Sequence, residues 1–126
     1  MSYNNAAQSY RRNAILTASP QKLVKLLYEG ALQSLERSRL GMSDTATSRT
    51  EAVGLSLGKS LSIVSELRAA LDMEVGGDLA RDLDRLYEFT IDKITQANLS
   101  RRPEPVEHAM TVLRTLKEGW DVVLVD

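Results

Sequence analysis

Apolar residues recur along most of this chain at intervals of three and four, the spacing that gathers side chains on one face of a helix. The run is clearest in residues 16–35, LTASPQKLVKLLYEGALQSL. There Leu23, Leu27, Ala31 and Leu35 fall every fourth position, with Val24, Tyr28 and Leu32 beside them. The stripe is wide enough to need partners on both sides, which a lone helix does not supply. Ser19 can accept hydrogen bonds from the free N–H groups of the next turn. Pro20 suits the first helical position, where a missing N–H costs nothing. The spacing therefore predicts a helix over 20–40, ended by Gly41 in a left-handed turn.

Three more stripes follow. Ser48 and Glu51 have the spacing of a capping box, and behind them Val53, Leu57, Leu61, Val64, Leu67 and Leu71 form a second helical face, with Ser62, Glu66 and Arg68 among its polar positions. Gly54 and Gly58 weaken that helix by about 1 kcal/mol each relative to alanine. One turn apart, they leave room for a neighbouring helix or a ligand to approach the backbone. Gly76 and Gly77 punctuate the next turn, and Asp78 can cap a third helix over 79–98. Its seam is Leu79, Leu83, Leu86, Ile94 and Ala97, flanked by Tyr87 and Ile91, with Thr90 as a polar intruder. Arg81, Asp82, Asp84, Arg85, Glu88, Asp92 and Lys93 read as a solvated face with local ion pairs. Pro103 and Pro105 bracket the start of a fourth helix carrying Val106, Met110, Leu113, Leu116 and Trp120.

Four amphipathic segments with short connections, and no strand alternation of useful length, predict an all-α fold: an antiparallel up-down four-helix bundle. The bundle occupies residues 17–121. Ahead of it, residues 1–16 form a cap segment, mobile or short-helical. Residues 1–13 are mostly Asn, Ser, Gln and Arg around two tyrosines. Tyr10, with Ile15 and Leu16, makes a short apolar patch just before the helix cap, which serves either as a hydrophobic staple or as a flap that can leave the bundle. Residues 122–126 form a tail with the apolar run VVLV, open to three readings: fraying, packing on the bundle end, or lying in a groove meant for a partner.

Composition narrows the function. The 126 residues are enough for one core, and 43% apolar with 26% charged residues is the balance of a globular protein. A net charge of −1 provides no basic field for phosphate backbones, so nucleic acid is not the expected partner. No window approaches the ~18 consecutive apolar residues of a membrane span, and the polar start lacks the form of a signal peptide, which points to the cytosol. Without cysteine there are no disulfides, thiolate metal sites or cysteine nucleophiles. The single histidine, His108, has Glu104 and Glu107 nearby, but a metal site needs three or four converging ligands, and the paired Glu-x-x-His pattern of di-iron bundles is missing. No P-loop, dinucleotide glycine pattern or serine with an assignable base occurs, so neither catalysis nor a cofactor is expected. A surface that binds other chains is the expectation. Tyr10, Tyr28, Tyr87, Phe89 and Trp120 are its aromatic candidates, with core membership the competing reading for Tyr28, Tyr87 and Trp120.

Four phrases, in order, carry a resemblance. Tyr10 stands ahead of LTASPQKLVKLLYEGAL (16–32). Then come ELRAALDMEVGGDLA (66–80), LDRLYEFTIDKITQAN (83–98) and Trp120 after a leucine-rich last helix. Together these resemble the flagellar export chaperones of the FliS family, over nearly the whole chain. The apolar VVLV tail differs from the family's polar carboxyl end, and Phe89 stands where the family often carries tyrosine. The resemblance implies a small antiparallel bundle of the bacterial cytosol that binds the disordered carboxyl-terminal segment of flagellin. It would thereby block premature polymerisation and deliver flagellin to the flagellar type III export apparatus, without ATP. It also implies that the amino-terminal segment covers part of the binding groove and moves aside, which gives Tyr10, Ile15 and Leu16 a role in capping.

Recognition of this kind seats apolar anchors of a disordered peptide in furrows between helices. We expect the groove along the second and third helices. Gly54 and Gly58 would allow close approach, Leu57, Leu61, Val64 and Leu86 would form the apolar floor, and Tyr87 the edge. The chain is expected to be a monomer or a weak homodimer. The alternative is a helical-bundle adaptor or regulator of flagellar assembly that binds another protein.

Overall fold

The computed structural model describes residues 20–123, with side chains from 22 to 121. The cap segment with Tyr10, Ile15 and Leu16, the Ser19 cap and the last three residues of the tail lie outside the described residues. Four helices follow one another: α1 (Pro20–Met42), α2 (Glu51–Ala69), α3 (Met73–Ser100) and α4 (Glu104–Val123). No strand occurs among the described residues. Each helix packs on two neighbours, α1 on α2 and α4, and α3 on the same pair, closing the expected antiparallel four-helix bundle.

The core is built from the anticipated stripes. Leu27, Ala31 and Leu35 meet Val53, Leu57, Val64 and Leu67, and from the other side Leu83, Ile94, Ala97, Val106, Met110 and Leu113. On α3 the stripe turns out one step further round. Ala80, Leu83, Tyr87, Thr90, Ile94 and Ala97 are buried, while Leu79 and Leu86, read as seam residues, are 65% and 37% exposed. Two adjacent stripes competed for the core, and the one containing Tyr87 is inside because its hydroxyl finds a buried partner (below), as does Thr90, whose hydroxyl donates to the Leu86 carbonyl at 2.8 Å.

The turns depart from the sequence reading in four places. Thr50, not Ser48, caps α2, its side chain accepting from the Val53 N–H at 3.4 Å, and Glu51 is the first helical residue. Ser48 instead bonds back to the Thr45 carbonyl. Helix α1 continues through Gly41 to Met42. Gly41 is there because α2 comes close: a Cβ on it would lie 2.5 Å from Val53 Cγ2. Helix α3 begins earlier than Asp78. Asp72 accepts from the N–H groups of Glu74 and Val75 at 3.1 and 3.0 Å, one turn forms, and Gly77 (φ 54°, ψ −128°) breaks it before the long run from Asp78. At its other end α3 is capped by Arg101 in the left-handed region (φ 56°). That conformation costs a non-glycine residue about 1 kcal/mol. It is offset by the guanidinium, which donates to the Ser48 and Thr50 carbonyls at 3.2 and 3.0 Å and so ties the α3–α4 turn to the α1–α2 loop.

The α1–α2 contact is lined by small residues. Gly30 faces Ile63 Cδ1, where an added Cβ would sit at 3.3 Å. Ser34, Ser38 and Ser60 are buried, and the hydroxyls of Ser38 and Ser60 return to the Leu35 and Leu57 carbonyls at 2.7 Å. Ser38 and Ser60 are thus satisfied within their own helices, leaving their apolar edges to the partner.

Candidate functional site

Three aromatic residues from three helices meet inside the bundle. The hydroxyls of Tyr28 on α1 and Tyr87 on α3, diagonally opposed helices, are 2.5 Å apart, with ring centroids separated by 6.4 Å. Trp120 on α4 donates its indole N–H to the Tyr28 hydroxyl at 3.0 Å. Both tyrosines are essentially inaccessible. Burial pushes both phenols above their ordinary titration range, so they remain neutral hydrogen-bonding groups. The cluster therefore belongs to the core, the reading that competed with an interface role for these three residues.

The residues expected to form a groove are distributed differently. Leu57, Val64 and Tyr87 are buried in the core, and Leu61 is half-buried against it. Gly54 lies under Arg101, with the position of a Cβ 3.1 Å from its Nη2. Gly58 is open: nothing lies within 4 Å of a Cβ placed there. Leu86 is on another flank. Arg68 of α2 reaches Asp84 at 2.7 Å and Glu88 at 3.8 Å, which marks the side of α3 that faces α2. At about 100° per residue, Leu86 is roughly 160° around the helix from both acids.

What the structure does bring together is the outward face of α2. Leu55, Gly58, Ser62 and Ser65, spaced three, four and three apart, form one strip with Leu61 at its edge, and none is charged. Leu55 is 67% exposed. The charged residues of this face, Glu51, Lys59 and Glu66, border the strip. The sequence reading passed over Leu55 because it is outside the core stripe. The available signal was Leu55 itself, a large apolar residue left over after the buried positions of α2 are assigned.

The remaining features hold little chemistry. Among the described residues no group of three His, Cys, Asp or Glu is arranged to hold a metal ion, and His108 is on the exposed side of α4. No described helix is long and apolar enough to cross a membrane. A depression of about 510 Å3 beside the α3–α4 turn is lined by Gln96, Leu99, Ser100, Arg102, Glu104 and Pro105, and is open to solvent. Between α1 and α4, Asp121 accepts from Lys117 at 2.8 Å and faces Lys25 at 3.7 Å, and the Lys117 ammonium holds its carboxyl below the usual range.

In class, then, the molecule is a helical bundle whose distinguishing features are a polar knot inside and a strip of leucine, glycine and serine on the outward face of α2. The chain belongs to the flagellar protein FliS family, whose family model matches residues 3–125. It is 35% identical over 120 residues to the flagellar secretion chaperone FliS of Vibrio cholerae, covering 92% of this chain and 86% of that one. Against the flagellar secretion chaperone FliSB of Pseudomonas aeruginosa it is 38% identical over 104 residues, covering 82% and 80%. The Salmonella typhimurium flagellar secretion chaperone FliS is 34% identical over 115 residues, covering 90% and 83%.

Proposed function

We propose that this chain is a flagellar secretion chaperone of the bacterial cytoplasm that binds the disordered carboxyl-terminal segment of flagellin, prevents its premature polymerisation and hands it to the flagellar type III secretion apparatus. Its membership in a family whose relatives are named flagellar secretion chaperones supports the general role. The observation that carries the binding mode is the exposed Leu55, Gly58 and Ser65 in one strip on α2, between charged neighbours. An amphipathic segment that becomes helical on binding can lay its apolar face along Leu55 and Leu61, with its backbone drawn close at Gly58. Leu57 and Val64 support that strip from within the core, and Gly54 continues the small row towards Arg101. Tyr10, Ile15 and Leu16 act as a competing cap that moves aside when flagellin binds. Part of the interaction energy is offset by ordering the peptide, so affinity depends on preorganised apolar contact more than on charge.

The test is calorimetric titration of a flagellin carboxyl-terminal peptide into the full chain and into Gly58→Leu and Leu55→Asp variants, with folding checked by circular dichroism. Both substitutions are on open surface, and each should weaken binding at least about tenfold. Equal affinity in all three proteins would remove the α2 face from the site. Failure of the parent chain to bind the peptide at all would overturn the chaperone reading itself.

A further inference from the structure

The flank of α3 turned away from α2, on the side towards α4, carries a second, partly exposed seam parallel to its core seam. Leu83, Tyr87, Thr90 and Ile94 face the core at intervals of four, three and four. Asp82, Leu86, Phe89 and Lys93 repeat those intervals one residue earlier, on a strip rotated by about 100°. Leu86 and Phe89 are 37% and 41% exposed, and Leu79 on the same strip 65%. The Asp82 side chain is 66% exposed and pairs within its own helix with Arg85 at 3.6 Å. Lys93 extends its ammonium over the Phe89 ring, 5.4 Å from the centroid. An apolar pair is thus bracketed by an acid at its amino-terminal side and a base at its carboxyl-terminal side.

That order is self-complementary when reversed. We propose that this strip is a homodimer contact, in which α3 packs antiparallel on the α3 of a second copy about a two-fold axis passing between Tyr87 and Glu88. In this register Leu86 faces Phe89 of the second copy, Asp82 faces its Lys93, and the symmetry repeats both pairings. The Lys93 ammonium exchanges its position over Phe89 for a carboxylate partner, and the ring is released to pack on leucine. A parallel pairing would instead oppose Asp82 to Asp82 and Lys93 to Lys93, so charge selects the antiparallel arrangement. The strip is not on the side of α3 that meets α2, since Asp84 and Glu88 mark that side. The contact is therefore separate from the face assigned to flagellin and does not rest on that assignment. One helix from each copy buries less than a standard interface, so the dimer is weak, with Kd on the order of 100 µM.

Sedimentation velocity of the full chain over a concentration series tests this. The parent should associate, and Asp82→Lys and Lys93→Asp should each weaken association about tenfold or more by opposing like charges. Mixing the two single variants, or combining both substitutions in one chain, restores opposite charges across the axis and should recover association. The double variant keeps the same total charge as the parent, so its recovery separates pairing from net charge. The proposal is overturned by a parent that stays monomeric throughout the series, by single variants that associate as the parent does, or by a folded double variant that fails to recover.

Discussion

Tyr28 stands between Tyr87 and Trp120, so its hydroxyl serves two partners at once. Tyr28→Phe takes away the partner of the Trp120 N–H and of the Tyr87 hydroxyl together, a loss of roughly 2–6 kcal/mol at 1–3 per unsatisfied buried group. Tyr87→Phe leaves Tyr28 still bonded to Trp120 and should cost about 1 kcal/mol. Denaturant unfolding of the two variants checks the order, and equal losses would mean that the indole bond contributes nothing. The same phenols set an alkaline limit. Burial raises both titrations in the folded state, so the unfolded chain releases their protons first. Their stabilisation is complete below the ordinary tyrosine pKa of about 10 and is lost as pH rises beyond it. Unfolding free energy should fall above that pH in the parent and fall less steeply in both phenylalanine variants. Periodicity set Tyr28 beside the first stripe and Tyr87 beside the third, but the bond joins positions 59 residues apart on diagonal helices. Only the relative register of three helices creates that meeting, and no local pattern encodes it.

At the scale of elements, glycine meant different things in different helices. In α1, Gly41 looked like a helix stop, whereas the helix runs past it and the glycine admits Val53 of α2. Gly58 in α2 has open space where a side chain would go. Alanine should therefore act oppositely at the two sites. Gly41→Ala forces a methyl into Val53 and should destabilise by about 1–3 kcal/mol, while Gly58→Ala gains helix propensity and should stabilise by up to about 1 kcal/mol. Thermal or urea unfolding of the pair measures both signs, and a destabilised Gly58→Ala would show that its surface is not open. The helix spans were legible because each stripe is long and strongly periodic. The caps were less so: Thr50 and Ser48 are both good capping residues, and Arg101 ends α3 in a conformation usually left to glycine because its guanidinium reaches another loop. On α3, Leu79 and Leu86 lost the core to Ala80 and Tyr87, a choice between neighbouring stripes that hydrophobicity alone misjudged.

For the whole molecule, the four-helix ring fixes which surfaces exclude one another. Helix α3 meets α2 along Asp84 and Glu88 and turns Leu86 and Phe89 away from it, so the α2 strip with Leu55 and Gly58 points in a different direction from the α3 strip. Two surfaces on separate flanks of a rigid bundle can be occupied together, and the coupling free energy between them is close to zero unless one ligand deforms the other's helix. The two proposals therefore predict a complex of two chains and two peptides. Sedimentation of the chain with saturating flagellin carboxyl-terminal peptide should show the same association constant as without it, and by reciprocity the peptide should bind dimer and monomer alike. If peptide dissociates the dimer in proportion to its binding, the surfaces overlap. The peptide then extends beyond α2 and wraps onto α3, and self-association becomes a way of holding the chaperone closed until flagellin arrives.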